Sequence, residues 1–131
     1  MSKRTAAQII GDMGENAAEK YLKNKGYTVV ERNYRCRSGE IDIIAKDNKY
    51  IVFAEVKTRG INSLERPGAW VDRKKQKKII TAAYMYLDEN VTDLQPRFDV
   101  IEVVYDNVTR MIISVEHIED AFMQEGDYSV F

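Results

Sequence analysis

Residues 40–59 read EIDIIAKDNKYIVFAEVKTR, two runs of β-branched, aromatic and small apolar residues parted by Asp47 and Asn48. Branched and aromatic side chains suit a pleated, half-buried surface, and Asp and Asn accept the backbone angles of a tight turn. The stretch therefore predicts a hairpin of two strands, Glu40 to Lys46 and Lys49 to Lys57. In the second, Ile51-Val52-Phe53-Ala54 is apolar at every position, so both of its faces are covered and the strand is central. Residues two apart on a strand share a face, which sends Glu55 and Lys57 the same way. With Asp47 and Asn48 alone as the turn, Lys46 stands opposite Lys49, Asp42 opposite Phe53 and Glu40 opposite Glu55. Asp42 is then the diagonal neighbour of Glu55, about 7 to 8 Å away at the backbone. Parity decides the outcome, because a turn one residue longer would put the two acids on opposite faces.

Outward from this hairpin the periodicity changes. Between Thr5 and Lys25, Ala6, Ile9, Ile10, Met13, Ala17, Ala18, Tyr21 and Leu22 recur at steps of three and four, an amphipathic helix that Gly26 stops. A strand from Tyr27 to Asn33 precedes the hairpin. After a loop from Thr58 to about Ala69, a second helix is expected from Val71 to Leu87, with Ile79, Ile80, Ala82, Ala83, Tyr86 and Leu87 toward the core. Strands Arg97 to Tyr105 and Thr109 to Val115 close the sheet, and Glu116 to Phe122 is read as a short terminal helix. The order α-β-β-β-α-β-β implies an α/β sandwich, a mixed sheet flanked by helices. At 131 residues the chain is expected to be one domain, with a core over residues 5–115 and an acidic tail over 116–131.

An apolar fraction of 44 % with 31 % charged residues is the composition of a water-soluble folded domain and excludes a disordered chain. No long apolar run follows the basic residues near Met1, so the sequence predicts neither a signal peptide nor a membrane span and points to the cytoplasm. Cys36 is the one cysteine and His117 the one histidine, which rules out a zinc cage of those residues. The net charge of −1 hides an uneven distribution: residues 57–78 carry a balance of +6 and residues 79–131 a balance of −9. A basic stretch attracts phosphate whatever the total charge.

Two carboxylates beside each other near the centre of a sheet repel, and burying them without compensation costs several kcal/mol. A divalent cation and Lys57 are the positive groups that can compensate. Oxygen ligands alone favour Mg2+ or Mn2+ over zinc, the ions suited to phosphodiester hydrolysis. For Glu-x-Lys taken by itself, a structural ion pair is the simpler reading.

The ordered set of motifs carries more. Asp42, then Glu55-Val56-Lys57, in an α-β-β-β-α order, resembles the PD-(D/E)XK nuclease superfamily, which has the restriction-endonuclease fold. Gly14-Glu15, Ala18, Tyr21-Leu22, Gly26-Tyr27, Arg32-Asn33, Arg35, Gly39 to Ile44, Phe53 to Arg59, Lys75-Gln76 and Arg97 to Val100 resemble the YraN family of predicted bacterial endonucleases. Ile41 replaces the proline of the superfamily name, a change without chemical consequence because proline offers no metal ligand. The resemblance implies that Asp42 and Glu55 hold the metal, that Lys57 assists the attacking water, and that Glu15 is the outer acid of the site. Glu40 either joins the ligands or steadies the start of its strand through Arg35 or Arg37, and Gln76 resembles a helix residue that contacts the site in some nucleases.

The expected activity is a Mg2+- or Mn2+-dependent endonuclease on DNA. Its phosphate contacts would come from Arg59, Arg66, Arg73, Lys74, Lys75, Gln76 and Lys78. Backbone contacts position a duplex without reading bases, so cutting is expected to follow DNA structure, with branched DNA and a homodimer suggested by junction-resolving enzymes of similar fold. The alternative is a nucleic-acid-binding module on a nuclease scaffold that cuts little and acts with a partner. No Gly-x-x-x-x-Gly-Lys loop is present for ATP, and His117 is too isolated to serve a nucleophilic triad.

Overall fold

The structure, a computed structural model, describes residues 3–63 and 71–122. Helix α1 (Ala6–Asn24) begins at Thr5, whose hydroxyl accepts from Gln8 N at 3.1 Å while its own N–H donates to the Gln8 side chain at 2.9 Å. This reciprocal cap satisfies two of the N–H groups that a helix start leaves without partners. Gly26, at φ +99, supplies the left-handed residue beyond the last turn. Strands β1 (Thr28–Cys36), β2 (Gly39–Lys46) and β3 (Tyr50–Gly60) follow, then α2 (Arg73–Glu89), β4 (Gln95–Tyr105) and β5 (Ile112–Ile118). Asp72 caps α2 by accepting from Lys75 N at 2.8 Å.

The five strands form one sheet in the order β1-β2-β3-β4-β5. All neighbours are antiparallel except β3 and β4, which are parallel and need the crossover that α2 provides. The helices cover opposite faces. Ala18 and Leu22 of α1 pack on Ile43, Ala45, Val52, Ala54, Ile101 and Val103; Ile79, Ala82, Ala83 and Tyr86 of α2 pack on Ile44, Ile51, Phe53, Phe98 and Val100. The mixed sheet between helices and the element order are those read from the sequence. No helix among the described residues is long and apolar enough to cross a membrane.

Four local expectations need correction. Lys46 pairs with Ile51 rather than Lys49, because Asp47 through Tyr50 form the turn: Asp47 N donates to Tyr50 O at 3.0 Å, and Asp47 Oδ1 accepts from Lys49 N at 2.8 Å and Tyr50 N at 2.7 Å. The shift is even, so every side chain keeps its face, but the register now projects Asp42 onto Glu55 instead of Phe53. Strand β1 continues past Asn33 to Cys36 and β3 past Lys57 to Gly60, since β2 and β4 offer paired backbone along those lengths. Residues 116–118 extend β5 instead of turning helical: Glu116, His117 and Ile118 pair with Glu102, Ile101 and Val100. Seven residues make a marginal helix, whereas β4 offers them a full row of backbone partners.

Candidate metal and phosphate site

Glu55 and Lys57 lie on the α2 side of β3. Ile51 and Phe53 pack with α2 while Val52, Ala54 and Val56 pack with α1, and alternation carries Glu55 and Lys57 to the α2 side. The β2–β3 pairing ends at Ile43 and Ala54. One residue further, Asp42 Oδ2 accepts from Val56 N at 2.8 Å, so the carboxyl takes over a strand N–H where the two backbones part. The register projects Asp42 beside Glu55, close enough for the charge of one to act on the other. Burial, and after it the charge of Glu55, pushes the Asp42 carboxyl up to about 7; the bond from Val56 N opposes this. Glu55 is 7 % exposed. Lys75 Nζ stands 3.6 Å from Glu55 Oε2.

Glu15 reaches this neighbourhood because α1 sits very close to β3. A Cβ on Gly14 would overlap Thr58 Oγ1 and stand 2.9 Å from Thr58 Cβ, so glycine is what permits the approach. Burial and then the charge of Asp42 raise the Glu15 pKa, against the hydrogen bond from Arg32. Arg32 Nη2 donates to Glu15 at 3.2 Å and its Nη1 reaches Asn16 at 2.7 Å and Glu19 at 3.0 Å. Glu15 is thus within electrostatic reach of Asp42 but held by Arg32. Among the described residues, no three Asp, Glu, His or Cys side chains are gathered closely enough to cage an ion. The donor set is a pair of neighbouring carboxyls, Glu55 buried and Asp42 half-buried, and Mg2+ commonly binds one or two carboxylates with water and phosphate oxygens completing its shell. The residues fit such an ion.

Of the remaining predicted residues, Glu40 pairs with Arg35 at 3.0 Å, the strand-steadying role foreseen for it. Lys57 is half-buried and faces Glu102 in the parallel register. Arg59 Nε lies 3.3 Å from Glu102 Oε2, and the two side chains are 12 % and 5 % exposed, so Arg59 is largely engaged inside the protein. Arg73, Lys74, Lys75 and Lys78 are exposed on the first turns of α2. Gln76 donates from Nε2 to Val71 O at 2.8 Å and secures the start of that helix. Arg66 lies outside the described residues.

Two features escaped the sequence reading. Glu102, 4 % exposed, sits among apolar neighbours of β4 and was hidden by them; an acid inside an otherwise apolar strand was the available signal. On the α1 side, Asp99 accepts from Arg97 at 2.9 and 2.8 Å, from Asp120 N at 3.0 Å, and meets His117 Nε2 at 2.6 Å. Burial opposes ionisation of Asp99, but the bonds from His117 and Arg97 outweigh it and hold its pKa below the usual value. His117 is therefore a structural histidine, as its isolation in sequence suggested.

Comparison with known proteins places the chain in a family. The family model described as uncharacterised protein family UPF0102 matches residues 14–103, a span that includes Glu15, Asp42, Glu55, Lys57, Arg97 and Asp99. A UPF0102 protein of Caldanaerobacter subterraneus subsp. tengcongensis is 41 % identical over 121 residues, covering 92 % of this chain and 99 % of its own. Similar proteins of Geotalea uraniireducens (44 % over 120 residues, 91 % of this chain and 93 % of its own) and Clostridium kluyveri (46 % over 114 residues, 86 % and 93 %) carry the same family name. Matched over most of its length by the family model and by these relatives, the chain belongs to UPF0102, the YraN family that its motifs resemble.

Proposed function

We propose that this protein is a divalent-metal-dependent endonuclease acting on DNA. The observation that carries the reading is the Asp42–Glu55 carboxyl pair at the point where β2 and β3 part, with the Asp42 pKa pushed up to about 7. Two neighbouring carboxyls that repel each other when alone are a pair that a bound cation stabilises. Asp42 and Glu55 would hold Mg2+ or Mn2+, which when bound lowers the pKa of water and offsets charge on phosphoryl oxygens.

The other residues have separable tasks. Lys57, one alternation along β3 from Glu55, orients the attacking water and neutralises charge that builds on the phosphate. Lys75 balances Glu55 before substrate arrives. Glu15 adds negative charge beside Asp42 and is kept in place by Arg32. Arg73, Lys74, Lys75 and Lys78 present a row of cations for phosphates, contacts that fix a duplex without reading bases. The resemblance to junction-resolving enzymes makes branched DNA the first substrate class to test, with the protein acting as a homodimer in the cytoplasm.

The test is incubation of purified protein with linear, single-stranded and four-way-junction DNA, with Mg2+, with Mn2+ and with chelator. Metal-dependent cutting that disappears in Asp42→Ala and in Lys57→Ala is the expected result. Cutting that survives both substitutions, or none on any substrate, would overturn the assignment.

A further inference from the structure

A recess of about 540 Å3, lined by Arg35, Cys36, Gly39, Glu40, Lys75 and Lys78, shares Lys75 with the carboxyl pair. Its walls come from three elements: the end of β1, the start of β2 and the first turns of α2. The walls are held together by a close backbone approach. A Cβ on Gly39 would come within 3.2 Å of Lys78 Cβ and 3.3 Å of Lys78 O, so the β1–β2 turn is pressed against α2 where glycine allows it. Three cations meet one acid in this space. Glu40 is already neutralised through Arg35 Nε at 3.0 Å, and a guanidinium keeps further donors beyond Nε. Lys75 belongs to both places, being a wall of the recess and 3.6 Å from Glu55.

We infer that this recess binds a phosphate group of the nucleic acid, next to the one placed at Asp42 and Glu55. The inference rests on the nuclease reading for its choice of ligand. Lysine and arginine side chains on converging walls are the groups that recognise phosphate oxygens. The concave shape lets cations approach a phosphate from more than one side, where the outer row of α2 offers only a line of surface contacts. Occupying the recess would fix which bond of the strand lies over the carboxyl pair, so the cut position is set from this side. The phosphate is either an internal diester or a terminal monoester, and both present negatively charged non-bridging oxygens.

Cys36, the one cysteine of the chain and part of the wall, is a built-in reporter. The experiment follows its alkylation by iodoacetamide in the full-length Lys57→Ala chain with Mg2+, so that the metal is supplied and no cutting occurs. Additions are inorganic phosphate, a 5′-phosphorylated oligonucleotide, or the same oligonucleotide without the terminal phosphate, with oligonucleotide binding measured in parallel by fluorescence anisotropy. Several-fold slower alkylation with both oligonucleotides supports the recess and identifies an internal diester; slowing with the phosphorylated one alone supports it and identifies a strand end. In either case the double variant Arg35→Ala, Lys78→Ala should lose the protection, and its binding should fall less steeply with salt, the slope changing by about 1 for the one phosphate released.

Unchanged alkylation by an oligonucleotide that demonstrably binds overturns the recess and leaves the nuclease reading standing, as does protection that persists in the double variant. Protection by inorganic phosphate without any oligonucleotide binding keeps the recess as a phosphate site and removes the nuclease reading. Neither protection nor binding removes both.

Discussion

Asp42 on β2 and Asp99 on β4, with β3 between them, are carboxyls whose surroundings drive their pKa values in opposite directions. Asp42 faces Glu55, and its folded pKa of about 7 lies above the unfolded value near 3.9. The folded chain therefore binds more protons than the unfolded one between those values, and stability falls as pH rises from about 4 to about 7. Asp42→Asn keeps an oxygen for Val56 N and gives Glu55 a donor. In chelator it is expected to raise stability at pH 8 by up to about 4 kcal/mol and to change little at pH 4, measured by urea unfolding. A variant less stable than wild type at pH 8 would contradict the repulsion. Asp99 has the reverse sign. Its pKa is held down by His117 and Arg97 against the cost of burial, so its contribution is complete above about pH 4 and is lost as pH falls through the lower folded value. Asp99→Ala takes from buried Arg97 its bidentate partner and should cost roughly 3 to 5 kcal/mol at pH 7; thermal unfolding checks this, and a loss below 1 kcal/mol would mean that the other partners of Arg97, Tyr27 OH at 2.7 Å and Glu119 Oε1 at 3.6 Å, suffice for it.

At the scale of elements, the contact between α1 and β3 sets the distance from Glu15 to the carboxyl pair. Replacing glycine by alanine inside a helix ordinarily stabilises it by about 1 kcal/mol. At Gly14 the added methyl collides with Thr58, and overpacking of this kind costs about 1 to 3 kcal/mol, so the clash wins. Gly14→Ala is expected to lower the unfolding midpoint, and adding Thr58→Ala should recover part of the loss. Additive effects of the two substitutions would show that the helix and strand are not in this contact. Both helices and the central strands were readable from periodicity and caps, because their apolar spacing is strong and local. The ends were not. Residues 116–118 have no pattern that separates a last strand from a helix, and it is the exposed row of β4 backbone that decides for the strand. The hairpin register failed for a related reason: Asp47 folds its side chain back onto Lys49 N and Tyr50 N and lengthens the turn, an interaction that residue type permits but does not require.

Across the whole molecule, a net charge of −1 makes DNA binding depend on where the cations stand. If the exposed start of α2 is the docking surface, affinity should fall steeply with salt, and Arg73→Ala and Lys74→Ala should each flatten the logarithmic salt slope by about 1, read by anisotropy titrations. A slope unchanged by both would move the docking surface elsewhere. The amino-acid sequence alone determined the α/β order and the central place of β3. It also determined the sharing of one face by Glu55 and Lys57, since those follow from periods of 3.6 and 2 that need no knowledge of neighbours. Only the tertiary structure decided the partners. It set Asp42 against Glu55 where β2 and β3 part, gave Glu15 to Arg32 and Arg59 to Glu102, and closed a recess between the β1–β2 turn and α2. Such pairings join residues far apart in the chain, and their energies come from burial and proximity, which exist only once the sheet and both helices have packed.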